Sequence, residues 1–174
     1  NYLECYHCAP IHPELSEVTP PESGRGYPAA PVGSWVGGPL RLREHAQTMS
    51  LTGRSGGIPI PGLPDRLRRE VGDAALLPGL LVSPHPDYLM THRLRPLAAD
   101  RTAVECCWYF PPEAVRRPGF DPGYAAEFWD LVNRQDLEIV ERVQQGITNP
   151  ANTGGRMCYR FEEPLHRFQN MIID

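Results

Sequence analysis

The sequence predicts an α+β fold in which antiparallel strands precede a long helix. Residues 88–97 and 102–110 are two strand-like stretches, joined by the short polar segment AADR, which predicts a β-hairpin. Residues 124–147 carry apolar side chains every three or four positions, the period of an amphipathic helix. Strands followed by a long helix, without an alternating βαβ pattern, are typical of the α+β class.

The remaining elements follow in chain order. Residues 1–15 begin as a helix that Pro10 and Pro13 must break or kink. Residues 16–66 are rich in Pro, Gly and Ser, and they contain two short strand-like stretches, SWVGGPLRLRE and QTMSLTG. A last helix is predicted over residues 164–174. With 174 residues the chain is long enough for one domain with its own core.

Composition excludes several classes of function. The net charge of −4 provides no basic field for nucleic acid or for an anionic membrane surface. No apolar run approaches the roughly 18 residues of a membrane span. The five cysteines are an odd number, and Cys106 and Cys107 are adjacent, so a disulfide framework is not favoured. We therefore expect reduced thiols and a cytoplasmic protein.

One acid lies on the apolar face of the long helix. Asp136 follows Val132 by four residues and precedes Val140 by four, whereas Asp130 is easier to place toward solvent. The apolar stripe itself comprises Phe128, Val132, Ile139, Val140, Val143 and Ile147. A buried carboxylate costs several kcal/mol unless it is paired, hydrogen-bonded or bound to a cation. Asp136 is therefore either neutralised by protein groups, such as Arg134, or a metal ligand.

The first thirteen residues, NYLECYHCAPIHP, concentrate side chains that bind metals. His7 and His12 are five residues apart, so on an unbroken helix their rings would diverge by about 140°. A break at Pro10 would allow both imidazoles to converge on one point. Glu4 precedes His7 by three residues, which places it where a carboxylate orients a metal-binding histidine.

Three simpler interpretations of this segment remain open from the residues alone. The histidines can be ordinary, partly buried side chains. The spacing of Cys5 and Cys8 is that of a redox CxxC motif, although no strand precedes it as a thioredoxin-like unit requires. A zinc site would need four cysteines, with poor chelate geometry for the adjacent pair. Those four are Cys5, Cys8, Cys106 and Cys107.

The opening segment resembles the iron-binding segment of the large subunits of Rieske-type ring-hydroxylating oxygenases. In that family an asparagine, an acid and two histidines in H-x4-H spacing occur in this order, as they do in NYLECYHCAPIHP. The segment RQDLEIVERVQQG is similar to the family helix that supplies a ligand aspartate. The resemblance extends through GSWVGG, AQTMSLTG and HPDY, and therefore covers nearly the whole chain.

The resemblance implies a role for five residues. His7, His12 and Asp136 would hold a mononuclear Fe(II) as a two-histidine, one-carboxylate triad. Glu4 would link His7 to the Rieske cluster of a neighbouring subunit, and Asn1 would lie near the iron. A glutamate at this position resembles family members that act on choline, carnitine or glycine betaine.

The resemblance also implies a helix-grip fold, an antiparallel sheet wrapped around the long C-terminal helix with the substrate pocket between them. The candidate substrate-binding residues are Met90, His92, Cys106, Trp108 and Phe128. The implied activity is oxygenation by iron and O2, as a dioxygenase or a monooxygenase, of an aromatic or quaternary ammonium substrate. A helix-grip domain that binds a hydrophobic ligand without metal and without catalysis is the alternative function.

Residues 1–174 would then be a single catalytic domain, and we expect the domain that holds the 2Fe-2S cluster upstream of Asn1. Electrons would come from NAD(P)H through a reductase or ferredoxin. Because the family uses the cluster of a neighbouring subunit, the resemblance implies a homotrimer.

Overall fold

A computed structural model of the chain describes residues 1–4, 6–24, 33–158 and 161–173. Its five strands form one sheet in the order β1-β2-β3-β4-β5, and each strand runs antiparallel to its neighbours. The strands are β1 (Trp35–Arg41), β2 (Glu70–Leu76), β3 (Leu80–Pro84), β4 (Leu89–Ala98) and β5 (Arg101–Tyr109). Together with the helices this sheet confirms the α+β class.

Within the described residues, five α-helices accompany the sheet, and the longest, of 25 residues, follows its last strand. They are α1 (Cys8–Ile11), α2 (Pro13–Val18), α3 (Pro112–Val115), α4 (Gly123–Ile147) and α5 (Glu163–Ile173), with 3₁₀ turns at Pro21–Gly24 and Asp65–Arg69. Among the described residues, no helix has both the length and the apolar character needed to cross a membrane.

The hairpin predicted from the alternating stretches is confirmed, with Met90 opposite Trp108 and His92 opposite Cys106. The strand-like stretch QTMSLTG is different, because it folds into turns. Thr48 and Met49 are fully buried there, and the carbonyl of Met49 accepts a hydrogen bond from Tyr88 instead of a strand partner. Burial rather than strand pairing explains the apolar pattern of this loop.

The opening helix breaks two residues after Pro10, where the break was expected. Pro10 lies inside α1, and the interruption falls at His12, whose φ of −119° and ψ of 71° are not helical. Pro13 then starts α2, where its missing N–H costs nothing. The break therefore turns the chain at the second histidine itself.

The first half of α4 packs against the sheet. Phe128 and Val132 are buried in a hydrophobic cluster that includes Leu40 of β1 and Val71 of β2. Beyond Asp136 the apolar stripe leaves the core, and Val143 and Ile147 are 52% and 60% exposed. Burial of the whole stripe was therefore a wrong prediction, because α4 extends past the sheet that covers its first half.

A buried carboxylate ties the start of α4 to two loops. Asp87 accepts hydrogen bonds from the hydroxyls of Thr48 (2.6 Å), Ser55 (2.5 Å) and Tyr124 (2.7 Å). Gly56 lies so close that an added Cβ would be 2.5 Å from the Tyr124 ring. These four polar side chains, the Asp87 cluster, fix Tyr124 and with it the first turn of α4.

Candidate metal centre

Three side chains from distant parts of the chain meet at one point. The Nε2 atoms of His7 and His12 lie 3.3 and 2.9 Å from Oδ1 of Asp136. One potential ligand atom from each of the three residues lies within 4.8 Å of the others. In the described part of the chain, this triad is the group of His, Cys, Asp or Glu side chains that is close enough to share a metal ion.

Each histidine is oriented through its other ring nitrogen. Nδ1 of His7 lies 2.7 Å from Oε1 of Glu4, and Nδ1 of His12 lies 2.8 Å from Oε1 of Gln135. Carboxylate and amide oxygens only accept hydrogen bonds, so both imidazoles donate through Nδ1. In the neutral rings, both Nε2 lone pairs then face Asp136.

The electrostatics of the triad follow from this arrangement. Burial lowers the pKa of His7, but hydrogen bonds to Asp136 and Glu4 outweigh it and raise that pKa to about 9. His12 has a raised pKa for the same kind of reason, with Asp136 and Gln135 as its partners. Burial raises the pKa of Asp136, yet hydrogen bonds from His12 and His7 bring it down to about 2. The carboxylate of Asp136 is therefore ionised, and it favours a proton or a cation between itself and the Nε2 atoms of the two rings.

The donor set fits a metal ion. Two imidazole nitrogens and a carboxylate leave lone pairs that face each other, and only protons or a cation at their centre can satisfy them. Two histidines and one carboxylate, each donating one atom, form the facial arrangement that suits non-haem Fe(II) and leaves other positions open. Hydrogen bonds from the distal ring nitrogens to acceptors are the usual support of metal-binding histidines.

Asn1 and Glu4 lie at the edges of the triad. The amide nitrogen of Asn1 donates to Oδ1 of Asp136 at 2.7 Å, so Asn1 positions the carboxylate. Glu4 also accepts from the backbone N–H of Tyr6. Burial raises the pKa of Glu4, but hydrogen bonds from His7 and Tyr6 lower it on balance. Glu4 therefore presents a charged acceptor to His7.

A cavity of about 560 Å³ opens beside the triad. Its walls come from the opening segment, the sheet, α4 and α5, and they include Leu81, Val104, Trp129 and Phe168. Arg25 and Arg160 lie outside the described residues, and of the described lining residues none is an arginine. The described part of the wall is thus mostly apolar, and its acidic side chains are Glu4, Asp73 and Asp136.

The five candidate substrate-binding residues divide into two groups. His92 and Cys106 line the cavity, and both face Asn133 of α4, whose Oδ1 is 3.1 Å from Nε2 of His92. The other three lie in the packed interior away from the cavity wall: Met90, Trp108 and Phe128.

One other carboxylate and one cysteine had a place in the sequence interpretation. Asp130 is exposed and pairs with Arg134 at 2.9 Å, so it belongs to the outer face of α4. Cys5, which both the redox and the zinc interpretations require, lies outside the described residues.

Sequence reasoning missed two residues of the site. Gln135 orients His12, a contact that depends on how α4 packs against the opening segment. Asp73 lines the cavity from β2, a strand that was not predicted. In the structure Val71, Asp73 and Ala75 share one face of this strand, and Val71 and Ala75 are fully buried.

Comparisons with known proteins agree with this geometry. The family described as ring hydroxylating alpha subunit (catalytic domain) matches residues 1–174. The glycine betaine monooxygenase oxygenase subunit of Pseudomonas aeruginosa is 25% identical over 93% of this chain, and that of Chromohalobacter salexigens is 26% identical over 100%. The chain spans 44% and 45% of the length of these two relatives.

Solved structures share the fold. A quaternary ammonium Rieske monooxygenase, studied for carnitine oxidation and inter-subunit electron transfer, matches 98% of this chain with a TM-score of 0.71 and 18% identity. The monooxygenase CntA in complex with its substrate gamma-butyrobetaine matches the same share with a TM-score of 0.60 and 19% identity. The match over the full chain, with the triad that the structure assembles, shows that this chain belongs to the ring hydroxylating alpha subunit (catalytic domain) family.

Proposed function

We propose that this chain is the catalytic domain of a Rieske-type oxygenase that hydroxylates a quaternary ammonium compound. The observation that carries the proposal is the orientation of two histidines. Glu4 and Gln135 hold the Nδ1 atoms, so both Nε2 atoms point at Asp136. A metal ion bound by these three side chains would satisfy the facing lone pairs, which supports the oxygenase over a metal-free ligand-binding domain.

His7, His12 and Asp136 would hold Fe(II), which supplies the redox chemistry for activating O2 when it is bound there. The protein contributes position and an apolar lining. Apolar residues such as Leu81 and Val104 line the cavity, and Asn1 keeps the carboxylate of Asp136 in place. Glu4 gives His7 a charged hydrogen-bond acceptor at Nδ1, the ring nitrogen that does not face Asp136, and would link His7 to an electron donor.

The substrate class is supported by the relatives and by the cavity. The printed names of the relatives include glycine betaine and quaternary ammonium substrates. The described lining residues include carboxylates and no arginine. This favours a positively charged ligand over an anionic one. Oxygenation of an aromatic ring is the second candidate, since the cavity is mainly apolar.

We further propose that the whole protein carries a 2Fe-2S cluster, receives electrons from NAD(P)H through a reductase or ferredoxin, and assembles as a homotrimer. Inter-subunit electron transfer in the quaternary ammonium relative supports the assembly. A cytoplasmic location agrees with these redox partners.

The experiment uses the complete gene product with a reductase and two substrates, glycine betaine and benzoate. Hydroxylation of an N-methyl group releases formaldehyde and a demethylated amine, and both are quantified by mass spectrometry after trapping. We expect formaldehyde in stoichiometric amount with glycine betaine and no diol with benzoate. Formation of a diol from benzoate would show instead that the protein oxygenates aromatic substrates. Failure to bind Fe(II) under anaerobic reconstitution would contradict the oxygenase proposal.

A further inference from the structure

An acid on the cavity wall has no role in the triad. Asp73 lies in the middle of β2, between the fully buried Val71 and Ala75 on the same face of the sheet. It is deep in the molecule, yet it keeps accessible surface because it lines the cavity. An acid therefore occupies a position where the strand pattern would place an apolar side chain.

Two hydroxyls hold this carboxylate on one side only. Ser83 of β3 and Tyr2 of the opening segment donate to Oδ1 of Asp73 at 2.8 and 3.1 Å. The two hydroxyl oxygens are 2.9 Å apart. Among the described residues no hydrogen bond reaches Oδ2 of Asp73, and no arginine or histidine forms an ion pair with it.

The surroundings leave room for a ligand next to the carboxylate. The residue opposite Asp73 on β1 is Gly38, which has no side chain to cover it. Aromatic side chains of Tyr2, Trp129 and Phe168 lie on the wall of the same cavity. A cavity that carries both a carboxylate and aromatic rings suits a cation without N–H groups, because both attract positive charge without needing a donor.

We propose that Asp73, held by Tyr2 and Ser83, is the counter-ion that recognises the positively charged group of the substrate. This inference rests on the proposed function, and it assigns substrate specificity to a residue outside the triad. The carboxylate lacks the positive partner that a buried charge requires, and a substrate cation supplies it. Burial raises the pKa of Asp73 to about 7 against the lowering effect of its two hydroxyl partners, so the surrounding protein groups alone do not favour the charged form.

A neutral role for Asp73 is the alternative. A protonated carboxyl would donate a hydrogen bond to a carbonyl or hydroxyl of a neutral substrate. As a counter-ion, Asp73 would make the site prefer a charged ligand over a neutral ligand of the same shape. As a neutral hydrogen-bond donor it would not. The two roles also differ in the effect of Asp73→Asn, because an amide still donates a hydrogen bond but carries no charge.

The test measures binding to the complete, Fe(II)-loaded gene product under anaerobic conditions by calorimetry. Glycine betaine is compared with tert-butylacetic acid in its carboxylate form, in which carbon replaces the charged nitrogen. Choline is compared in the same way with its own carbon isostere. The variants are Asp73→Asn, Asp73→Glu and, as a matched control for removing an acid, Asp65→Asn, whose side chain is 96% exposed.

We expect the unmodified protein to bind at least one cation about tenfold or more tightly than its isostere. Asp73→Asn removes this preference and leaves the affinity for the isostere unchanged, whereas Asp73→Glu retains part of it and Asp65→Asn all of it. A cation preference that survives Asp73→Asn overturns the inference, and so does the lack of any preference in the unmodified protein. Iron content is measured on the same samples so that the two proposals can be distinguished. An iron-free protein contradicts the oxygenase proposal. An iron-loaded protein without the cation preference contradicts only the counter-ion role of Asp73.

Discussion

Two regions of the cavity wall each hold a partly buried aspartate, and the surroundings shift the pKa of the two carboxyls in opposite directions. Asp136 faces two imidazoles and an asparagine amide, and its pKa falls to about 2. Asp73 faces two hydroxyls, and its pKa rises to about 7. Burial opposes ionisation in both places, so the partners decide the outcome. The first region is ready for a cation held by three ligands, and the second lacks a positive partner.

Asp136→Asn should give the largest effect, because it removes a charged ligand. We expect the Fe(II) affinity to fall by more than about a hundredfold, beyond the usual cost of losing an outer partner of a metal ligand. Iron content after anaerobic reconstitution and desalting measures this. Asp130→Asn changes an acid six residues earlier on the same helix and should keep its iron, as should Asp73→Asn. Iron retention by Asp136→Asn would contradict the triad.

Asp73→Asn should change how stability depends on pH. The folded-state pKa of about 7 lies above the model-peptide value of 3.8, so the folded protein binds more protons between these pH values. The free energy of unfolding of the metal-free protein therefore falls as pH rises from 4 to about 8, and Asn at this position removes that loss. We expect the variant to gain about 2 kcal/mol relative to the unmodified protein across this range.

Urea titrations at each pH measure the difference, with Asp65→Asn as the exposed control. A constant difference between the two proteins from pH 4 to 8 would contradict the raised pKa of Asp73.

Glu4→Ala should lower the Fe(II) affinity about tenfold, since the charged acceptor of His7 is lost. The protein should still load stoichiometric iron at high Fe(II) concentration, while product formation in the complete system stops. Glu17→Ala, an exposed acid of α2, serves as control and should change neither. Complete loss of iron from Glu4→Ala would make Glu4 a ligand rather than an orienting acid.

Gln135→Ala should have the smallest effect on the metal, a few-fold loss of Fe(II) affinity, because His12 loses a neutral acceptor. The neighbouring residue of the triad, Asp136, stays in place. A loss larger than that of Glu4→Ala would show that the amide matters more than the carboxylate. Competitive titration with a coloured chelator resolves differences of this size.

The sequence located those parts of the site whose geometry is local. Glu4 and His7 are three residues apart in the chain, and Asp136 stands out because helical periodicity places it on the apolar face. The hairpin of β4 and β5 was equally readable from alternation. In each case the relevant neighbours lie within a few residues along the chain.

The missed parts depend on contacts between distant segments. The support of His12 by Gln135 joins residues 123 positions apart. In β2, small residues fill both faces, as in Gly72, Ala74 and Ala75, so no alternation marks Asp73 as inward-facing. The exposed end of α4 was misjudged because periodicity predicts a face and says nothing about how far a sheet extends.

The Asp87 cluster has a consequence for a residue that it does not touch. An α-helix turns by about 100° and advances by about 1.5 Å for each residue, so the azimuth of every side chain is set once the first turn is fixed. Tyr124 is clamped by Asp87, and Asp136 follows twelve residues later, about 18 Å along the axis. If α4 were shifted by one residue relative to Asp87, the carboxylate of Asp136 would rotate away from both imidazoles and no longer reach them. The hydroxyls that donate to Asp87 thus fix the rotation of α4, and with it the position of the metal-ligand candidate Asp136 three turns away.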